Sequence, residues 1–113
     1  MKIINKKIEL KKLREIAANG FGNLVKAVVD IENEIMAIDA ELHSDEEALL
    51  LENGSKQNNL WGINLYTELA GEDFIEFDSM INLRPSQNNR SRGVDDPKIR
   101  QIIKVIVDKL VEQ

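Results

Sequence analysis

The sequence predicts an α+β fold, with an antiparallel β-sheet packed by N-terminal and C-terminal helices in one domain covering residues 1–113. Three observations carry this expectation. Phe74 to Leu83 alternates, with Ile75, Phe77, Ser79, Ile81 and Leu83 on one face and Glu76, Asp78, Met80 and Asn82 on the other, as a half-buried strand does. Val25 to Ile31 sets Val25, Ala27, Val29 and Ile31 against Lys26 and Asp30 and is rich in β-branched residues. Pro97 to Val111 carries a broad stripe of Ile99, Ile102, Ile103, Ile106, Leu110 and Val111, the mark of a helix lying on a core.

In chain order, Met1 to Asn5 is expected as a short strand and Ile8 to Ala18 as a helix, with Leu10, Leu13, Ile16 and Ala17 on one side. Gly20 should close that helix in a left-handed cap. After the strand Val25 to Ile31, Glu32-Asn33-Glu34 serves as a turn into a second strand, Ile35 to His43. Leu24, Val28, Ile31, Ile35, Ile38 and Leu42 also fall on a heptad, so one long helix over 24–42 is the rival reading. Ala48 to Glu52, Asn53-Gly54 and Leu60 to Tyr66 read as a hairpin, because Asn-Gly supplies positive φ values. The alternative for this stretch is a short helix through Leu51, capped by Ser44-Asp45-Glu46-Glu47. Pro85 stops the strand that begins at Phe74, and Asp96 followed by Pro97 supplies an N-cap and first turn for the final helix.

Composition narrows the function classes. The chain is 42% hydrophobic and 31% charged, in the globular range, and its net charge of −5 argues against nonspecific nucleic-acid coating. There are no cysteines, which removes disulfides, thiol catalysis and thiolate metal sites. Apolar runs fall far short of the roughly 18 residues of a membrane span, and Met1 leads into a strand-like segment rather than a signal-peptide core. A cytoplasmic protein without a membrane partner is the expectation.

Three strings are distinctive: FGNLVKAVVDIENEIMA from Phe21 to Ala37, ELHSDEEALLLENGSKQNNLWGINLY from Glu41 to Tyr66, and FIEFDSMINLRPSQNNRSRGVDDPKIR from Phe74 to Arg100. Together they resemble a small prokaryotic family classed as a domain of unknown function. The resemblance implies a folded domain and brings no activity, catalytic residue or cofactor with it. Thr67 stands where the resemblance leads one to expect proline.

The best candidate site is the segment NLRPSQNNRSRGVDDP, Asn82 to Pro97. It lies between a strand and a helix start, where amide groups and the helix dipole favour an anion, and guanidinium groups add forked donors. Arg84, Ser86, Gln87, Asn89, Arg90 and Arg92 are the expected ligand-binding residues, with Asn88 beside them. Asp95 and Asp96 oppose this by placing negative charge at the same helix start, and pairing of the arginines with carboxylates is the structural alternative. The second candidate is a row of Asp39, Glu41 and His43, which on a strand project from one face and could move protons or hold a divalent ion. Glu46, Glu47, Glu76 and Asp78 could join it. With a single histidine and no cysteine, no metal or cofactor is assigned.

Trp61 and Tyr66 read as core or interface aromatics before a base-stacking platform, and no nucleophile elbow or phosphate-loop motif occurs. Two function classes follow. One is a binding module holding a phosphate-bearing small molecule, RNA or an acidic partner through the arginine loop. The other is a phosphoryl-transfer enzyme, such as an RNA-cleaving nuclease, which requires His43 near the loop arginines. Apolar positions on both faces of several segments also suggest a homodimer through Met80 and Tyr66.

Overall fold

The computed structural model describes residues 1–113 and contains a five-stranded sheet in the order β1-β4-β3-β5-β6, antiparallel throughout. β1 is Lys2–Ile4 and β2 is Ile8–Glu9, followed directly by α1, Leu10–Asn19. β3 is Leu24–Asp30, β4 is Ile35–Ile38 and α2 is His43–Glu52. β5 is Leu60–Tyr66, β6 is Ile75–Glu76, α3 is Pro97–Leu110 and β7 is Val111–Glu112. β2 and β7 pair in parallel as a small separate sheet. No helix is long and apolar enough to cross a membrane.

The α+β class is as the sequence predicts, and the terminal helices share one face of the sheet. Leu13 and Ala17 of α1 and Ile103, Ile106, Val107 and Leu110 of α3 pack on Val25, Ala27, Val29, Met36, Ile38, Trp61, Ile63 and Leu65. Burying each large aliphatic chain in that layer stabilises the fold by about 1.5–3 kcal/mol. The opposite face is covered only in part. There Leu50 of α2 packs on Val28, Ala37 and Leu60.

The region 24–42 forms two strands rather than one helix. Asp30 organises the turn between them: its carboxylate accepts from the amides of Glu32 at 3.0 Å and Asn33 at 3.1 Å, and from the Ser55 hydroxyl at 2.6 Å. Burial works to raise its pKa, but these bonds outweigh it and hold the carboxyl below its ordinary value.

Several boundaries differ from expectation. β4 ends at Ile38, because Asp39 takes a left-handed conformation with φ of 68° and turns the chain away. The segment His43–Glu52 is helical, so the helix alternative is the one adopted, but Ser44-Asp45-Glu46-Glu47 lie within its first turns and do not cap it, and Asn53-Gly54 closes that helix instead of a hairpin. The Asn53 side chain donates to Leu49 O at 2.8 Å, and Gly54 supplies φ of 97°. After α1, the positive φ of 97° belongs to Gly22 rather than Gly20.

The largest departure lies in Phe74 to Leu83, where only Ile75 and Glu76 are strand. Beyond them the chain bends into a 3₁₀ turn, Met80–Asn82, started by the Ser79 hydroxyl accepting from Ile81 N at 3.3 Å. Asn82 then replaces the missing strand: its side chain accepts from Gly62 N at 2.8 Å and donates to Gly62 O at 3.0 Å. Gly62 is required here, since a Cβ would stand 2.5 Å from that of Ser79.

Candidate functional site

Alternation along β3 and β5 sends Leu24, Lys26, Asn64 and Tyr66 to the face opposite the main core, with Lys26 paired to Asn64 and Leu24 to Tyr66. α2 covers this face only as far as Val28 and Leu60, leaving the four beyond its reach. They form the floor of a groove of about 390 Å³. Leu42, His43 and Ser44 at the start of α2 make one wall, and Glu76, Asp78, Ser79, Met80, Ile81 and Arg92 make the other, with Phe21 at the rim.

The start of α2 has no side-chain cap, because Leu42 occupies the N-cap position. The Asp45 amide bonds Leu42 O at 3.2 Å, and the amides of His43 and Ser44 ahead of it have no acceptor within the helix, so they favour an anion or water. Two cations share the groove. Lys26 stands 5.1 Å from the Phe21 ring centroid, and Arg92 donates through Nε to Asp78 at 2.7 Å while its terminal nitrogens have no partner in the chain.

His43 is 8% exposed, and its Nε2 lies 2.7 Å from the Ile63 carbonyl. A carbonyl can only accept, so Nε2 carries the proton and Nδ1 the lone pair. Burial lowers the His43 pKa below 6.5, with Lys26 and Arg92 adding to that effect and the Ile63 carbonyl and Asp78 opposing it. At neutral pH the ring is an uncharged acceptor beside two cations.

A carboxyl sits behind it on α2. Glu46 is fully buried, Oε2 accepts from Ala40 N at 3.2 Å, and Oε1 has no partner. Burial pushes its pKa up to about 9, so it is a neutral acid at pH 7.

The loop expected to bind an anion is tied into the fold. Arg84 donates to Leu60 O at 2.6 Å and to Gln57 O, and lies on Trp61. Gln87 donates to Asn58 O at 3.1 Å. Asn89 is buried, donates to Asn82 O at 2.7 Å and Gly93 O at 2.8 Å, and accepts from Asp95 N at 2.8 Å. Ser86 is exposed, and Arg90 is anchored by its backbone amide, 2.8 Å from Asp95. Asp96 caps α3 by accepting from Lys98 N at 2.8 Å, which occupies the helix start where the anion was expected. The three arginines therefore do not converge there. Arg92 alone reaches the groove.

The strand row of Asp39, Glu41 and His43 does not form. Asp39 sits near the N-terminal amine at 3.9 Å, and with Glu41 it borders an adjoining depression, while His43 turns into the groove. No three carboxylate or imidazole groups are clustered for a metal. What the fold does bring to His43 is Glu76, Asp78 and Arg92. Lys26, Ser44 and Asn64 were not expected at a site: Lys26 and Asn64 read as ordinary strand positions and Ser44 as a helix-capping residue, and only the partial coverage by α2 marks them. Met80 and Tyr66, expected at a dimer contact, also line the groove.

A family model described as "Protein of unknown function (DUF5674)" matches residues 2–110. The chain belongs to this family. No curated protein and no solved structure matches this DUF5674 member.

Proposed function

We propose that the protein is a small binding module, set in the prokaryotic cytoplasm, whose groove holds an anionic, phosphate-bearing ligand. The observation that supports this is the uncapped start of α2 opening into a groove that also holds Lys26 and Arg92. The groove, rather than the arginine loop, is the proposed site, and Arg92 is common to both. Titration calorimetry with sugar phosphates, nucleotides and a short RNA tests it. The double variant Lys26→Gln/Arg92→Gln should bind about ten- to a hundredfold more weakly, as expected for losing charged hydrogen bonds. Absence of binding by the wild type across these probes removes the proposal.

A second reading, RNA cleavage, is favoured by the open Nδ1 of His43 beside Lys26 and Arg92. In it, Nδ1 takes the proton of a ribose 2′-hydroxyl as that oxygen attacks the adjacent phosphorus, the bond to the 5′-oxygen breaks and that oxygen leaves as a hydroxyl with a proton from water, while the cations face the developing charge. Intact RNA after long incubation with the wild type would eliminate this reading. A homodimer closed through Met80 and Tyr66 would cover the same groove, and a single monomeric species in sedimentation at micromolar concentration would exclude it.

A further inference from the structure

We propose that the ligand of this groove is a nucleoside phosphate, free or at the end of an RNA chain, with the phosphate at the start of α2, the ribose over Asn64 and the base against Phe21 and Met80. The inference rests on the anion-binding reading above and specifies its ligand.

Asn64 carries the first argument. It is 7% exposed, and its Nδ2 donates to Glu76 Oε1 at 2.8 Å and to Asp78 O at 3.2 Å. Both neighbours can only accept, so the amide orientation is determined and Oδ1 must be the atom left over. That oxygen is buried without a partner in a residue of the groove floor. A buried acceptor without a donor is unfavourable, and a ligand hydroxyl that reaches Oδ1 through a small shift of the Asn64 side chain supplies what is lacking. Glu76 Oε1 also accepts from the Tyr66 hydroxyl at 3.2 Å, while Oε2 makes no bond within the chain and is open to a second hydroxyl. Vicinal ribose hydroxyls fit this pair of acceptors. Inorganic phosphate carries no such group.

The rim carries the second argument, independently. Phe21 is 48% exposed, Leu42 54% and Met80 63%, and all three line this one groove. Large apolar side chains gathered at the mouth of a polar pocket mark a ligand with an apolar body, and a flat ring between a phenyl and a thioether is the body that suits them. The groove volume of about 390 Å³ falls within the range of small-molecule sites, enough for one nucleotide unit. A sugar phosphate would leave the rim bare, and a fatty acid would leave Asn64 and Glu76 without donors.

Calorimetric titration of the wild type with inorganic phosphate, ribose 5-phosphate, adenosine 5′-monophosphate, its 2′-deoxy analogue and a short 3′-phosphorylated RNA tests the assignment. Adenosine monophosphate should bind at least about tenfold more tightly than ribose 5-phosphate through the base, and more tightly than the deoxynucleotide through the ribose. In Phe21→Ala/Met80→Ala the gap between nucleotide and sugar phosphate should close while thermal melting is unchanged, since both side chains are exposed. Comparison of the free nucleotide with the RNA end separates the two sources. Equal affinity for ribose 5-phosphate and the ribonucleotide would overturn the nucleotide assignment and leave anion binding intact. Failure of every phosphate to bind would remove both. The ribo-versus-deoxy comparison needs no variant, so an unfolded double variant would not rescue the idea.

Discussion

The guanidinium of Arg84 lies 4.2 Å from the Trp61 ring centroid, stacked on it while its terminal nitrogens bind the carbonyls of Gln57 and Leu60. Arg84 is a structural residue. Replacing it by Gln removes a cation–π contact and two charge-assisted bonds, and should lower unfolding free energy by about 2–3 kcal/mol. Arg90→Gln should change it by less than about 0.5 kcal/mol, as at an ordinary surface position. Urea unfolding of the two variants side by side checks this; equal midpoints would refute the role given to Arg84.

Ile103 is fully buried between α3 and the sheet. Ile103→Asp places an unpaired carboxylate in the main core, a change that exceeds the usual stability of a domain this size once cavity and charge are combined. The variant should be unfolded by circular dichroism at room temperature, and native-like melting would show the packing to be wrong.

Glu46 predicts an unusual pH profile. Its folded pKa of about 9 lies above the ordinary 4.5, so the folded state holds the proton more tightly. Its contribution is therefore fully present below pH 4.5 and is lost as pH rises through about 9. Glu46→Gln should stabilise the protein at pH 7 by about 2–3 kcal/mol and flatten the decline on the alkaline side. Denaturation midpoints at several pH values measure it, and a variant with unchanged slope would contradict a buried neutral acid.

His43 has the opposite sign. With its folded pKa lowered from 6.5, its neutral form is stabilising above that value and this contribution is lost as pH falls toward the folded pKa. A bound anion reverses the pressure by favouring the imidazolium, so binding should take up a proton and tighten as pH drops from about 8 to about 6. Sulfate is the suitable probe, because its charge stays constant over that interval. His43→Gln should abolish the pH dependence; its persistence would place the titrating group elsewhere.

Gly62→Ala should push on the groove wall, since the added methyl meets Ser79 at 2.5 Å. A loss of about 1–3 kcal/mol is expected for such overpacking. Thermal melting checks it. Gly62→Ala combined with Ser79→Gly should be more stable than the sum of the two single losses predicts, since Ser79→Gly alone forfeits the bond to Ile81 N, and simple additivity would argue against the contact as the cause.

Legibility of the fold followed the range of the interactions involved. α3 was readable because its signals are local: Asp96 caps it, Pro97 opens it, and the isoleucine stripe repeats at helical spacing. The β3–β4 turn was readable in the same way. Phe74 to Leu83 alternates like a strand, yet its ladder is broken by Ser79 bonding its own 3₁₀ turn and by Asn82 reaching Gly62 on another strand. No period in the sequence reports such side-chain substitution. In α2, the run Leu49-Leu50-Leu51 suits strand or helix alike, and the helix is chosen by the capping at Asn53 and the packing of Leu50. For the site, Arg92 was legible by type, but its neighbours His43, Lys26 and Asn64 come from three other elements that only the topology brings together.

The replacement of a strand by side chains along β5 has a consequence for association between molecules. On the outer side of β5, Leu60 O is taken by Arg84, both polar groups of the Gly62 backbone by Asn82, and Tyr66 N by Phe74 O at 2.9 Å. A free sheet edge is a template for another chain, and this one is closed by a guanidinium and a carboxamide that cannot themselves be extended. The two-residue β6 covers this border at Asn64 and Leu65, and side chains seal the Leu60–Gly62 stretch that no strand protects, whereas the other border, β1, is three residues long and begins with Lys2. Loss of Arg84 or Asn82 would then act twice, loosening the monomer and uncovering bare backbone for polymerisation.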